Sequence, residues 1–140
     1  MSMNTAGTKG APLKVLIVED TKTITNLLQV YLMGWGLQFF EAGNGVQGLS
    51  KAREIKPDLV ISDVQMPEMD GFALCAAVRA DSTLHATPFL LLTSLKDEAS
   101  RQRGRLVGAS AFLNKPVSVD ELRERVRELL KLPAKSPSGR

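Results

Sequence analysis

Short apolar runs punctuate the chain at residues 15–18, 59–62, 89–92 and 111–113, and a mixed run occupies 38–42. Such runs are too brief for buried helices. Those without polar alternation are expected of strands covered on both faces. Between them the apolar positions change period. Ile24, Leu27, Leu28, Tyr31 and Leu32 recur at spacings of three and four, which predicts a helix stopped by Gly34 and Gly36. Asn44, with Gln47 three residues on, offers an N-cap to a second helix that ends before Pro57. A loop with Pro67 and Gly71 leads into a third helix through Phe72, Leu74, Cys75 and Val78. A weakly patterned helix is expected over 97–107, interrupted by Arg103 and containing Gly104. Ser118 and Glu121 form a capping box for the last helix, whose stripe is Val119, Leu122, Val126, Leu129 and Leu130.

The result is βα repeated five times. Strands alternating with helices of this length imply a parallel sheet with helices on both faces. The pattern alone leaves the strand order open. The 140 residues suit one domain, expected over 13–132 between polar tails at 1–12 and 133–140. One cysteine, Cys75, excludes an intramolecular disulfide and a multi-cysteine zinc site, and its apolar setting predicts a buried thiol. No apolar run is long enough to span a membrane and the first residues lack a signal core, so a cytoplasmic protein is expected. Charge is uneven: residues 1–100 hold 8 basic and 11 acidic residues, residues 101–140 hold 10 and 4. A solvated helical surface accounts for this excess, and a docking face for an acidic protein is the functional alternative. Nucleic acid fits less well, since Phe112 is the only aromatic among those basic residues.

Polar residues concentrate where strands end. Glu19 and Asp20 follow the first strand, Asp63 the third, Thr93 the fourth, and Lys115 lies two residues past the fifth. Ligands bind at the carboxyl ends of strands in open parallel sheets. Three carboxylates brought together repel, and a bound cation relieves them. Oxygen donors suit Mg²⁺, which also binds phosphate. Lys115 and Thr93 would complement an anion at the metal, and a carboxylate nucleophile would give an aspartyl phosphate.

These residues sit in motifs that resemble the response-regulator receiver family. They are Val-Glu-Asp at 18–20, Asp-Val-Gln-Met-Pro-Glu-Met-Asp-Gly at 63–71, Leu-Leu-Leu-Thr-Ser at 90–94, Gly-Ala at 108–109 and Lys-Pro at 115–116. The resemblance implies a flavodoxin-like doubly wound (βα)5 fold with strand order 2-1-3-4-5. It implies that Asp63 accepts phosphate from a sensor histidine kinase or a histidine phosphotransfer protein. Asp20, Asp63 and the Gln65 backbone carbonyl would then ligate Mg²⁺, with Glu19 acting through a water. Lys115 would pair with the phosphoryl group, and Thr93 would hydrogen-bond it and move. Phe112 would turn inward into the space that Thr93 vacates. The family often has tyrosine there, and phenylalanine lacks its hydroxyl. The Lys115–Pro116 bond would be cis.

The expected role is a phosphorylation switch that assists its own chemistry rather than a conventional enzyme. Output would pass to a downstream protein through the helix-four, strand-five, helix-five face, with Arg101, Arg105, Arg123 and Arg127 as docking residues. No direct nucleic-acid or membrane contact is expected. Only eight residues follow Leu132, which favours a stand-alone receiver over a fragment of a DNA-binding regulator or hybrid kinase. An aspartate-nucleophile phosphatase would need an acid two residues past Asp63, where Gln65 stands. Gln65 is instead suited to orienting the water that ends the phosphorylated state, giving it intermediate persistence.

Overall fold

The computed structural model describes residues 11–133 and contains five strands and five helices in strict alternation. They are β1 (Lys14–Val18), α1 (Lys22–Tyr31), β2 (Gln38–Ala42), α2 (Gly45–Ile55) and β3 (Leu59–Asp63). Then come α3 (Gly71–Ala80), β4 (Phe89–Thr93), α4 (Glu98–Leu106), β5 (Ala111–Asn114) and α5 (Val119–Leu130). The expected tails lie almost wholly outside the described residues. All strand pairs are parallel, in the order β2-β1-β3-β4-β5. The doubly wound fold expected from the chain is therefore the one it adopts.

Strand geometry explains the continuous apolar runs. Neighbouring side chains point to opposite faces, so a strand covered on both sides needs an apolar residue at every position. Leu16, Val18, Val60, Phe89 and Leu91 face one layer, where Leu74, Cys75 and Val78 of α3 join them. Val15, Ile17, Leu59, Ile61, Leu90 and Leu92 face the other, with Leu28 and Leu32 near α1 and Leu122 and Val126 of α5. β2 is one of the two edge strands and is mixed because only part of it is covered.

The caps follow local chemistry. Asn44, Asp70, Asp97 and Ser118 each accept a hydrogen bond from the backbone N–H three residues on. Gln47 departs from a strict capping box, since its side chain accepts from Gly43 N, one residue before the cap. Two stripe positions also differ from expectation. Leu27 is 41% and Val119 39% exposed, because each helix narrows its buried face to fewer residues than its apolar spacing allows.

Candidate phosphoacceptor site

The sheet delivers its polar strand ends to one place. β1 and β3 lie side by side with Val18 opposite Ser62, so Glu19 and Asp63 emerge at neighbouring positions. β4 pairs with β3 on its other side, Leu92 opposite Asp63, which brings Thr93 alongside. Thr93 is paired with Asn114, and Lys115 N donates to Thr93 O at 2.8 Å. Gly71 is required locally: a Cβ there would stand 2.3 Å from the Asp63 carbonyl oxygen. The chain after β3 must turn back this closely for α3 to begin.

Oxygens of Glu19, Asp20 and Asp63 all lie within 4.8 Å of one another. Glu19 and Asp63 are buried and Asp20 is exposed. Lys115 Nζ stands 3.0 Å from Asp63 Oδ1 and 3.5 Å from Glu19 Oε1. Glu19 Oε2 accepts a hydrogen bond from Thr21 N at 3.2 Å. Burial raises the Glu19 pKa above the usual carboxylate range, and the Asp63 charge adds to it; Lys115 only partly offsets both. Burial pulls Lys115 down, yet its hydrogen bond to Asp63 and the surrounding carboxylates leave it raised.

Two like charges 4 Å apart repel by about 4 kcal/mol at an effective dielectric of 20. Three carboxylates against one ammonium leave an uncompensated double negative charge. Hard oxygen donors with that residual charge fit a divalent cation such as Mg²⁺. Thr93 is fully buried, and its Oγ1 accepts a hydrogen bond from Leu95 N at 2.9 Å. Gln65 is exposed, two residues past Asp63 in the β3–α3 loop. The Lys115–Pro116 peptide is cis, as the Lys-Pro motif implied. An apolar cleft of about 320 Å³ opens beside this site, walled by Leu27, Leu28, Tyr31, Lys115, Pro116 and Val117.

The four arginines expected on one docking face separate. Arg101 and Arg105 border a groove between α4 and β5. Arg123 points elsewhere: its guanidinium lies 4.0 Å from the Trp35 ring centroid, and Nη1 donates to Tyr31 O and Met33 O. Arg123 follows the buried Leu122 and so lies at the edge of the packed face of α5. Arg127 is engaged by Glu124 of its own helix. Phe112 lies against α4 in the unphosphorylated chain. Its ring is already packed on α4, where an added Gly104 Cβ would meet it at 2.7 Å. The space comes from the missing Gly104 side chain, with Thr93 still bonded to Leu95. Asn114 was not singled out from sequence, although a polar residue closing an apolar strand next to Lys115 was the available signal. Its side chain bonds both Arg101 and Leu95.

A family model for the response regulator receiver domain matches residues 15–127. Protein PilG of Pseudomonas aeruginosa is 33% identical over 110 residues, covering 79% of this chain and 82% of PilG. The DNA-binding dual master transcriptional regulator RpaA of Synechocystis is 33% identical over 126 residues, which are 90% of this chain and 52% of RpaA. This chain thus spans about half the length of the transcriptional regulators it matches. Among solved structures, the Vibrio cholerae chemotaxis protein CheY4 superposes with a TM-score of 0.79 at 36% identity, covering 86% of this chain and 100% of CheY4.

Proposed function

The chain belongs to the response regulator receiver family, and on that premise we propose that it is a phosphorylation switch with Asp63 as acceptor. The observation that carries this reading is the buried Asp63 carboxylate held 3.0 Å from Lys115 Nζ within the three-carboxylate cluster. An Asp63 oxygen attacks the phosphorus of a donor phosphohistidine; an O–P bond forms as the N–P bond breaks. Lys115 follows the charge from the carboxylate to the phosphoryl oxygens, and the Thr93 hydroxyl donates to another of them. Asp20, Asp63 and the Gln65 carbonyl would hold Mg²⁺ with Glu19 beside them, and the ion supplies neutralisation of phosphoryl charge. The apolar cleft beside Lys115 gives the donor protein, a histidine kinase or phosphotransfer protein, a footing next to Asp63.

Output passes to a protein partner on the α4–β5 side. The near full-length likeness to PilG and CheY4 supports this reading. A second reading, a receiver portion of a DNA-binding regulator, is supported by the half-length match to RpaA. The mass of the native protein detected in cells separates the two.

The test is labelling by acetyl phosphate with Mg²⁺. Wild type takes up one acid-labile phosphoryl group and Asp63→Asn takes up none; stoichiometric labelling of the variant would remove Asp63 as acceptor. Gln65→Leu slows loss of the label, and unchanged decay would remove Gln65 from the hydrolytic step.

A further inference from the structure

The apolar cleft beside Asp63 offers more than a footing for a donor protein, because it has the depth of a small-molecule site. Leu28 and Leu92, 3% and 1% exposed, lie at its base. Leu27 and Tyr31 of α1 border one side, and Pro116 and Val117 after β5 border the other. Leu27 is 41% exposed, so part of this apolar wall stands in water. Lys115 and Ser94 add polar groups. Small-molecule sites are mostly apolar with a few polar groups that fix orientation, and about 320 Å³ is at the small end of their range.

The cleft shares a residue with the acceptor site. Lys115 Nζ stands 3.0 Å from Asp63 Oδ1, and the same side chain lines the cleft. Ser94, which follows Thr93, lines it too. A donor whose phosphoryl group lies at Asp63 therefore has the cleft as adjoining space for the group it leaves behind. A hydrated leaving group gains nothing from that space. An apolar one exchanges water for Leu28, Leu92 and Val117. The cavity on the other side of the acidic cluster offers no such environment, since Lys22, Glu41 and Gln47 line it.

We propose that this cleft makes the protein selective among small-molecule phosphodonors, favouring acyl phosphates with an apolar tail of about four or five carbons over acetyl phosphate. This rests on the reading of Asp63 as phosphoacceptor. In the transfer, an Asp63 carboxylate oxygen bonds to phosphorus as the bond from phosphorus to the acyl oxygen breaks. That oxygen keeps the electron pair, and the donor leaves as a free carboxylate; no proton is taken up and the total charge is unchanged. The new carboxylate forms beside Lys115 with its tail in the cleft. Leu27, Tyr31 and Val117 determine specificity, because they meet the leaving group and not the phosphoryl group.

The test compares labelling by acetyl, propionyl, butyryl and pentanoyl phosphates with Mg²⁺. Their leaving acids are nearly equal in strength, so rate differences report contact with the tail. The second-order rate constant of the wild-type protein rises about threefold per added methylene, as partial burial of each requires. Leu27→Asn lowers the pentanoyl-to-acetyl ratio about fivefold. Leu27→Phe narrows the cleft and moves the preferred donor to a shorter tail, a shift that loss of folding does not produce. Val30→Asn, on α1 but outside the cleft at a position 60% exposed, keeps the wild-type ratio. Without Mg²⁺, pentanoate shifts the amide NMR signals of Leu27 and Val117, and acetate does not. A flat series, a ratio unchanged in Leu27→Asn or lost equally in Val30→Asn, or no pentanoate shift at these two residues overturns the proposal, while labelling by acetyl phosphate keeps the acceptor reading intact. No label from any donor in the series overturns the acceptor reading, and the proposal with it.

Discussion

α5 sinks Leu122 and Val126 into the sheet face that it shares with α1, whereas the buried residue of α4 is Gly104. α5 is then fastened a second time by Arg123, which covers Trp35 and donates to two carbonyls at the end of α1. α4 is tied to α3 at its C-terminal end, where Cys75 Sγ donates to Val107 O and Arg79 Nε donates to Gly108 O, and no large apolar side chain of the helix is buried. Burying a leucine stabilises a fold by about 1.5–3 kcal/mol, and burying a glycine adds almost nothing. The two flanks of one sheet therefore differ in what it takes to move them. The site lies between them, and a device that must shift on phosphorylation is best built on the side with less to lose.

The sharpest way to break this contrast is to weaken the firm flank. Leu122→Ala removes a fully buried side chain and is expected to cost about 2–5 kcal/mol in denaturant unfolding. Arg123→Ala strips the Trp35 ring and leaves the Tyr31 and Met33 carbonyls without their donor, a loss of about 1–3 kcal/mol. On the other flank Gly104→Ala drives a methyl group into the Phe112 ring, costing about 1–3 kcal/mol by overpacking. Better helix propensity returns about 1 kcal/mol, so the net loss is near 1 kcal/mol and is recovered when Phe112→Leu is added. Arg105→Ala, on the surface of α4, changes stability by less than about 0.5 kcal/mol. If Arg105→Ala destabilised as much as Arg123→Ala, the two flanks would not differ in the way described.

Cys75 of α3 reports on the α4 flank, since its thiol lies 3.4 Å from Val107 O at the end of α4. Burial pushes this thiol up to about 11. A raised thiol pKa means that native stability is intact at neutral pH and declines as pH climbs from the ordinary thiol range toward that value. Alkylation of the native protein near pH 8 is accordingly slow, and it accelerates when α4 is loosened by Gly104→Ala. Equal alkylation rates in the two proteins would show that this substitution leaves the α4 end undisturbed.

Much of this was legible along the chain because it is written in local chemistry. Val15 to Val18 declares a strand covered on both sides, and Ser118 with Glu121 marks where α5 starts. Glu19, Asp20, Asp63, Thr93 and Lys115 were visible because each closes a strand, and parallel strands all end at the same edge. What stayed hidden depends on side chains meeting across long stretches of sequence. Arg123 reads as one more surface arginine until the fold sets it on Trp35. Asn114 reads as a strand end until Arg101 and Leu95 close on it. The inward seat of Phe112 depended on noticing that a glycine, which sequence marks only as a weak helix former, can also be the absence into which a ring fits.

The most direct measurement is reductive trapping. Wild-type protein incubated with acetyl phosphate and Mg²⁺ is treated with borohydride, which converts an acyl phosphate carboxyl to homoserine, and the modified residue is located by peptide mass spectrometry. The account predicts homoserine at Asp63 alone, dependent on Mg²⁺. Homoserine at Asp20, hydroxynorvaline at Glu19, or no reduced carboxyl in the strand-end cluster, would contradict it.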